Sequence, residues 1–215
     1  TDHGPLLRIY EEARQVPGIK HCFIGSGIRY DLCLSDTGNK EVDKTNRRYL
    51  ETVIRHHVSG RFKVAPEHCS PTVLGLMRKP AFGLFQQLKS IFDEINRKHR
   101  LNEQIIPYFI SSHPGCRPED MAELAVATKA LDFKLEQVQD FTPTPMTVAT
   151  TIYYSGYHPY SLQKIDTAKS EKEKKQQNMF FFWYKREFRE QIMTLLRRIH
   201  RADLIPKLYG KEREK

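Results

Sequence analysis

The sequence predicts an α/β protein in which parallel strands alternate with crossover helices. Three observations indicate this class. Short apolar, strand-like runs begin near positions 19, 61, 105 and 135, helical periodicity separates them, and polar or glycine-rich residues follow each run. Because parallel α/β sheets bind ligands at the carboxyl ends of their strands, the residues after each run are candidates for a site.

The first half of the chain is predicted to contain two helix–strand units. A helix over residues 6–15 precedes an apolar run at 19–24, which stops at a glycine-rich loop. A second helix, with Asp43 as its N-cap, extends to about Val58 and precedes a short strand at 61–64. The order of helix, strand and loop therefore occurs twice.

Two further units follow. Helical spacing leads from position 68 to Ile95, and a strand at 105–110 comes next. Pro118 begins another helix, as proline does in first turns, and the last strand is predicted at 135–141. Four such units are half of an eightfold barrel, but an open doubly wound sheet explains the same pattern. Periodicity leaves both architectures open.

The composition of the chain changes near residue 163. Residues 1–163 hold 20 Lys and Arg against 18 Asp and Glu, whereas residues 164–215 hold 15 against 8. We therefore predict an α/β domain over 1–163 and a basic, aromatic helical extension over 164–215, with a loop at 153–160 before it. Apolar residues at helical spacing over 188–199 favour a helix packed on the domain over a groove for a partner.

Composition also limits the class of protein. No apolar run reaches the roughly 20 residues that cross a bilayer, and no secretory signal is present. Cys22, Cys33, Cys69 and Cys116 are far apart and form no CxxC pair, so we expect no metal site among them and a reduced, cytoplasmic protein. Because the chain begins with Thr1 and a helix follows at once, we expect it to begin inside a longer protein.

Several residues at the predicted strand ends have useful chemistry. Arg29 and Lys63 can bind a carboxylate or phosphate, and Glu67 and His68 can bond hydroxyls or move protons. Each has a structural alternative. Arg29 can pair with Asp31 or with Glu67, Lys63 can be an ordinary surface residue, and a lone buried histidine is commonly a hydrogen-bonded structural residue.

The loop after the last predicted strand is rich in proline. Pro143 and Pro145 restrict the backbone there, which would hold its carbonyl and amide groups in place to bond a flat ring such as adenine. The same prolines can simply end the strand. The residues alone do not decide between these two roles.

Five segments of the chain are distinctive in wording, order and spacing. They are SerGlyIleArgTyrAsp at 26–31, LysValAlaProGluHisCys at 63–69, MetArgLysPro at 77–80, ProTyrPheIleSerSerHisProGly at 107–115 and GlnValGlnAspPheThrProThrProMet at 137–146. Together they resemble the YgiQ-type (UPF0313) family of radical S-adenosylmethionine (SAM) proteins. The resemblance covers nearly the whole chain, including TyrTyrSerGly at 153–156 and the basic tail. Five ordered motifs are far more specific than one.

The resemblance implies a partial, TIM-like (βα)6 barrel. In that family a CxxxCxxC loop after the first strand holds a [4Fe-4S] cluster, and the open iron binds the amino and carboxylate groups of SAM. This chain has no CxxxCxxC, so the resemblance makes its strands the third to the sixth of the barrel. We accordingly expect the chain alone to bind no cluster, to be inactive, and to expose a sheet edge through which it can self-associate.

The implied activity is reductive cleavage of SAM to a 5′-deoxyadenosyl radical, with an electron from a donor such as flavodoxin or ferredoxin. The substrate is unknown; RNA is one candidate, because the layout of the last three strands is also similar to methylthiotransferases that modify tRNA. No catalytic residue is assigned. By position, the cofactor-binding candidates are Ser26 and Arg29 on the third strand, Lys63, Glu67 and His68 on the fourth, Ser111, His113 and Gly115 on the fifth, and Gln139, Phe141 and Pro143 on the sixth.

Two other functions remain open at this point. The basic tail can make the chain a noncatalytic nucleic-acid-binding module, in which the aromatic run 180–184 stacks on bases and Lys or Arg side chains hold phosphates. Alternatively, the tail is only a lid or a dimer contact.

Overall fold

The computed structural model describes residues 1–135 and 137–210, and this part of the chain is α/β. Position 136 of the predicted strand 135–141 and positions 211–215 of the predicted extension lie outside the described residues. In chain order the elements are α1 (Gly4–Gln15), α2 (Tyr30–Leu34), α3 (Lys40–His56), β1 (Arg61–Glu67), α4 (Pro71–Met77), α5 (Phe82–His99), β2 (Gln104–Ser111), α6 (Pro118–Ala130), β3 (Gln137–Asp140), α7 (Val148–Ser155), α8 (Glu171–Asn178), the 3-10 helix Met179–Phe182, α9 (Arg186–Arg198), the 3-10 helix Ala202–Leu204 and α10 (Ile205–Tyr209).

The three strands form a small parallel sheet in the order β1-β2-β3. β3 pairs with β2 so that Tyr108 lies opposite Gln137 and Ser111 lies opposite Asp140. The predicted α/β class and the parallel sheet are confirmed. The described residues do not show a closed barrel.

The predicted strand at 19–24 is wrong, because this segment is extended coil. A strand needs a ladder of hydrogen bonds to a neighbouring strand. Here the Ile24 N–H donates instead to the carbonyl of His57, at the end of helix α3, at 2.9 Å. Ile19 and Phe23 are also about half exposed, at 49% and 48%. The apolar run therefore lacks both the pairing and the burial of a strand in the described part of the chain.

Two helix predictions also need correction. Helix α3 begins after Asn39, whose side chain accepts hydrogen bonds from the backbone N–H groups of Glu41 and Val42, so Asn39 and not Asp43 is the N-cap. The long helix predicted up to Ile95 is two helices, α4 and α5. Arg78 ends α4 in the left-handed conformation, with φ 54°, and a proline follows two residues later.

Helix α7 occupies part of the segment 153–160 that was predicted as a loop. Its N-cap Thr147 accepts a hydrogen bond from the Thr150 N–H, and Gly156, with φ 76°, ends the helix. Apolar β-branched residues and two tyrosines thus form one more helix than periodicity indicated. The side chains of Tyr153 and Tyr154 are consequently presented by a helix.

The chain forms two compact units. The first consists of Thr1–Ala65 and Phe82–Pro107, and the second of Pro66–Ala81 and the chain from Tyr108 onward. Strands β1 and β2 each begin in the first unit and end in the second. Residues on both sides of position 163 lie in the second unit.

In the first unit, α3 and α5 bury their apolar faces. Leu50, Val53 and Phe85 are almost completely buried, and the Phe62 ring of β1 stacks on Phe92 of α5 with ring centroids 5.5 Å apart. Burying side chains of this size contributes roughly 1.5–3 kcal/mol each. These contacts account for the helical spacing that the sequence shows in both segments.

In the second unit, α9 packs as predicted, with Ile192, Leu195 and Leu196 buried. The 3-10 helix before it buries Phe180 and Phe181. None of the described helices combines the length and the apolar character needed to span a bilayer.

The loop after β2 is held in an unusual backbone conformation. Ser112 and Gly115 have φ values of 60° and 83°, and the Gly115 N–H donates to the Asp166 carbonyl at 2.8 Å. A Cβ atom on Gly115 would lie 2.4 Å from Cδ1 of Leu76. This loop tolerates only glycine at position 115 without rearrangement.

We predict that Gly115→Ala destabilises the 215-residue chain by about 2 kcal/mol, because alanine disfavours this φ and its methyl group must displace Leu76. Gly75→Ala is the matched control, since Gly75 lies in α4 with open space around it; it should stabilise the chain by up to about 1 kcal/mol. Urea denaturation measures both changes. Equal stability of the two variants would contradict the analysis.

Candidate functional site

A cavity of about 500 Å³ lies in the second unit at the carboxyl ends of the strands. This is the size of a small-molecule site, and the position is the one that α/β sheets favour for ligands. The residues that line it are Glu67, Leu76, Met77, Arg78, Lys79, Tyr108, Ile110, His113, Gln139, Asp140, Phe141, Thr142, Thr144, Thr147, Val148 and Ala149.

Glu67 differs from the other lining residues in combining burial, a left-handed backbone and a carboxylate oxygen that is unpartnered in the described part of the chain. It is the last residue of β1, is 9% exposed, and has a left-handed φ of 66°. Its Oε1 lies 3.0 Å from Nζ of Lys79, whereas its buried Oε2 has no hydrogen-bond partner among the described residues. A buried carboxylate oxygen needs a donor, and left-handed backbone outside glycine is concentrated at functional sites. Glu67 therefore marks the place where a ligand donor would bind.

The polar groups of β2 and β3 are oriented by bonds to one another. The Tyr108 hydroxyl donates to Oε1 of Gln139, and the Ser111 hydroxyl donates to Oδ1 of Asp140. The amide of Asn178 donates to the same Asp140 oxygen at 3.1 Å. Burial, together with the nearby Glu67 carboxylate, raises the pKa of Tyr108. Tyr108 thus stays a neutral donor near neutral pH.

Two rings form an apolar wall. Phe141 packs edge to face with His113 at a centroid distance of 5.0 Å, and its N–H donates to the Ser111 carbonyl at 2.8 Å. Nδ1 of His113 lies 2.9 Å from the Pro114 carbonyl, a position from which the ring N–H can donate. Burial lowers the pKa of His113, so its ring is neutral at pH 7. This wall suits a flat, uncharged part of a ligand.

The remaining walls carry cations and hydroxyl groups. Arg78 is exposed and Lys79 is half-buried beside Glu67, while Thr142, Thr144 and Thr147 contribute hydroxyls. The cavity therefore combines a carboxylate, cationic side chains, hydroxyls and an aromatic face. Such a set can bind a zwitterionic, hydroxylated molecule that contains a ring.

The structure brings four of the predicted cofactor-binding residues together. Glu67, His113, Gln139 and Phe141 all line the cavity. The other strand-end candidates of the second unit do not line it; they are His68, Ser111, Gly115 and Pro143. Ser111 orients Asp140 and Gly115 shapes the loop after β2, so both act on the cavity through their neighbours.

His68 holds the backbone after β1. It is fully buried, and its Nδ1 accepts hydrogen bonds from the N–H groups of Cys69 and Ser70 at 2.9 and 3.0 Å. Its Nε2 lies 3.4 Å from Sδ of Met121 and 3.5 Å from Sγ of Cys116. Burial lowers the pKa of His68 to about 4. The ring is therefore neutral, with its proton on Nε2, and its observed contacts are those of a structural residue.

Ser26, Arg29 and Lys63 lie in the first unit and are exposed. Arg29 donates two hydrogen bonds to the Asp31 carboxylate, at 2.8 and 2.6 Å, which raises the pKa of Arg29. Of the alternatives open for Arg29, the structure shows the pair with Asp31. Ser26 and Lys63 have no such partner among the described residues.

Sequence reasoning missed several residues that line the cavity. Arg78 and Lys79 belong to the segment 77–80, and Tyr108 belongs to 107–115. Asp140 and Thr144 belong to 137–146. All five positions fall within segments that were recognised, so a search of whole segments rather than of strand ends would have found them.

The sequence predicts no metal site among the cysteines. Within the part of the chain that the structure describes, no three His, Cys, Asp or Glu side chains are placed to hold an ion. Burial raises the pKa of Cys33 and of Cys69 to about 12 and raises that of Cys116 as well. These groups are thiols at neutral pH, and thiolates are the form that binds iron.

One constellation in the first unit has the residue types of a cysteine nucleophile site. Sγ of Cys33 lies 3.6 Å from Nε2 of His3, and Nδ1 of His3 lies 2.8 Å from Oδ1 of Asn46. The Cys33 thiol is only 3% exposed, and burial raises its pKa. A nucleophile needs access and a thiolate. This group is therefore part of the core.

The first two residues of the aromatic run 180–184 do not have the exposure that base stacking requires. Phe180 and Phe181 are 0% and 1% exposed, and the Tyr184 hydroxyl donates to the Leu135 carbonyl at 3.2 Å. The prediction that this run stacks on bases is therefore wrong for its first two residues. Their side chains complete the core beside α9.

Comparison with known proteins identifies the relatives of the chain. A UPF0313 protein from Bacteroides thetaiotaomicron is 60% identical over 211 residues, which are 98% of this chain and 34% of that protein. The chain belongs to the UPF0313 family. Residues 136–212 also match a family described as a domain of unknown function, DUF3362.

Other UPF0313 proteins give the same result. The chain is 57% identical over 211 residues to one from Porphyromonas gingivalis and 41% identical over 204 residues to one from Methanocella arvoryzae. The aligned regions include 98% and 95% of this chain, and 33% and 32% of the two relatives. The UPF0313 chain thus spans about a third of the length of the curated relatives it matches.

We predict that His68 makes the stability of this UPF0313 chain depend on pH. The pKa of His68 is lowered from 6.5 to about 4, so on acidification the unfolded chain binds a proton before the folded chain does. Stability should fall from about pH 6.5 towards pH 4. His68→Asn keeps an acceptor for the two backbone N–H groups but removes the group that titrates. Between pH 7 and pH 5, the free energy of unfolding of this variant should therefore fall by about 2 kcal/mol less than that of the parent.

Urea denaturation at several pH values measures this difference. Met121→Leu is the control, because it alters packing next to the ring and removes no titrating group. Its pH dependence should match that of the parent. If His68→Asn matched the parent too, the assignment of a lowered pKa to His68 would be wrong.

Proposed function

We propose that this UPF0313 chain supplies the SAM-binding wall of a radical SAM enzyme whose active form is the longer protein. The observation that supports this most is the cavity at the strand ends, which is lined by Glu67, a residue whose carboxylate has one buried oxygen without a hydrogen-bond partner among the described residues. The family resemblance of the segments around this cavity adds to that support. The proposal concerns the full-length protein, of which the chain is one part.

The residues of the cavity fit SAM chemically. Its volume of about 500 Å³ is in the range of small-molecule pockets. Oε2 of Glu67 would accept a hydrogen bond from a ribose hydroxyl or from the ammonium group. Arg78 or Lys79 would hold the carboxylate, and the face of Phe141 would lie against adenine.

The same residues do not fit a [4Fe-4S] cluster, because no cysteine lines the cavity and no three metal-ligating side chains come together among the described residues. We propose that the cluster is held by another part of the longer protein, and that flavodoxin or ferredoxin reduces it in the cytoplasm. When bound, the cluster and SAM supply a radical that removes hydrogen from a substrate. The task of the present chain is to orient SAM and to exclude water with its apolar wall.

The proposal also accounts for the segment 19–24. In a partial barrel this extended run would be the third strand, and it would gain its ladder from a preceding strand. The loop that follows already approaches β1, since a Cβ on Gly27 would lie 3.2 Å from the Lys63 carbonyl oxygen. Exposure of this run favours self-association of the isolated chain.

Two measurements on the full-length protein test the proposal. Anaerobic reconstitution with iron and sulfide, followed by dithionite and SAM, should yield 5′-deoxyadenosine, whereas the 215-residue chain should yield none. Separately, equilibrium dialysis should show that Glu67→Gln lowers SAM affinity by at least about tenfold, because a bond to a charged group is lost.

Glu94→Gln is the matched control for the binding measurement. Glu94 is an exposed carboxylate of α5 and should leave SAM affinity unchanged. No 5′-deoxyadenosine from a protein with a complete cluster would reject the enzymatic proposal. Equal SAM affinity of the parent and Glu67→Gln would reject the assignment of the cavity.

A further inference from the structure

The second unit exposes large apolar side chains in one stretch. Among the described residues of this unit, those exposed side chains all fall between positions 146 and 162, and they are Met146, Tyr154, Tyr157, Tyr160 and Leu162. We call Tyr154, Tyr157 and Tyr160 the tyrosine surface; their exposed fractions are 69%, 48% and 73%. Exposed aromatic side chains this close together in the sequence are candidates for contact with a partner.

An ordered backbone presents the tyrosine surface. The Ile165 N–H donates to the Gly156 carbonyl, and the His158 N–H donates to the Gln163 carbonyl, each at 2.8 Å. Tyr157 pairs with Lys164 in an antiparallel bridge. Because the backbone is already held by these bonds, little conformational entropy would be lost when the tyrosines bind a partner.

Two lysines contact the segment that carries the tyrosine surface: Lys164 pairs with Tyr157 in the bridge, and Nζ of Lys169 donates to the Tyr154 carbonyl at 3.0 Å. Both lysines are exposed and form no ion pair within the described ranges. The neighbouring carboxylates are engaged: Asp166 pairs with Arg117 at 2.7 Å, and Glu173 accepts from the Ser170 N–H at 2.9 Å. Unpaired lysines next to exposed rings would attract a polyanion that carries flat groups.

We propose that the tyrosine surface, with Lys164 and Lys169, binds single-stranded nucleic acid. Each exposed ring can stack on a base whatever its sequence, and the lysines can contact phosphates. The surface is richer in tyrosine than in aliphatic residues, which favours stacking over insertion into lipid. This inference concerns binding and is independent of whether the cavity takes SAM.

A line of rings connects the tyrosine surface to the cavity. Phe141 lies in the cavity wall, its ring is 5.7 Å from that of Tyr153, and Tyr153 is 5.3 Å from Tyr154. Nζ of Lys174 lies 5.4 Å over the Tyr153 ring. A nucleic-acid strand bound on the tyrosine surface would pass close to the cavity. Nucleic acid would then be the substrate class of the enzyme, and only this assignment of the substrate rests on the proposed function.

The experiment measures binding of fluorescein-labelled oligouridylate and oligothymidylate, about 12 nucleotides long, to the full-length protein by fluorescence anisotropy. The double variant Tyr157→Ala/Tyr160→Ala should weaken binding by at least about tenfold, whereas Tyr157→Phe/Tyr160→Phe should keep it, because phenylalanine still stacks. Stronger binding of the uridylate would indicate contacts to the 2′-hydroxyl; equal binding would indicate stacking and phosphate contacts alone.

The lysines are tested through the salt dependence of the same binding. Lys164→Ala/Lys169→Ala should reduce the slope of log affinity against log salt by about 1.4, that is, by roughly 0.7 for each phosphate contact to a single strand. This readout also covers the case in which the tyrosine-to-alanine variant folds poorly. Ile9→Ala in α1 and Lys44→Ala in α3 are controls from the first unit, at exposed side chains outside the segment 19–24, and should change neither affinity nor slope.

Three outcomes would overturn the inference. One is full-length protein that binds neither oligonucleotide at the micromolar to 0.1 millimolar concentrations at which unspecific nucleic-acid binding is seen. Another is binding that survives both double variants unchanged. The third is binding to phosphatidylserine vesicles but not to oligonucleotides, which would make the tyrosine surface a lipid contact.

Discussion

The parallel pairing of β2 with β3 is the interaction on which the candidate site depends. Its register sets Ser111 opposite Asp140, and the next residue, Phe141, donates its N–H to the Ser111 carbonyl. The same register lets the Tyr108 hydroxyl reach Gln139. A shift by one residue would turn every side chain of β3 to the other face of the sheet and dismantle the cavity wall.

The polar groups buried near the strand ends are of two kinds. Nδ1 of His68 accepts hydrogen bonds from two backbone N–H groups, and the Ser111 hydroxyl donates to Asp140. Both side chains therefore stabilise the fold. Glu67 differs, because one of its oxygens is buried without a partner and its backbone is left-handed. Satisfied groups hold a structure together, whereas an unsatisfied one at the edge of a cavity points to a ligand. Ser112 is also buried with a left-handed backbone and a hydroxyl that is unpartnered in the described part of the chain, but only Glu67 of the two lines the cavity.

Aromatic residues near the C-terminus have opposite roles that composition could not distinguish. Phe180 and Phe181 close the core beside α9, while Tyr157 and Tyr160 remain in solvent. The aromatic run predicted to stack on bases is therefore largely core. The exposed rings belong to the segment that sequence analysis treated as a plain loop, and they lie next to lysines that have no ion pair in the described part of the chain.

The sequence by itself determined the α/β class, the strands predicted near 61, 105 and 135, the packed helix α9 and the UPF0313 family. Of the candidate site it indicated Glu67, His113, Gln139 and Phe141, because strand ends converge at one edge of a parallel sheet. Only the tertiary structure decided that 19–24 forms no ladder, that Asn39 caps α3, and that Arg78 and Lys79 enter the cavity. Local patterns report propensity and period, whereas ladders, caps and the direction of a side chain depend on partners distant in sequence.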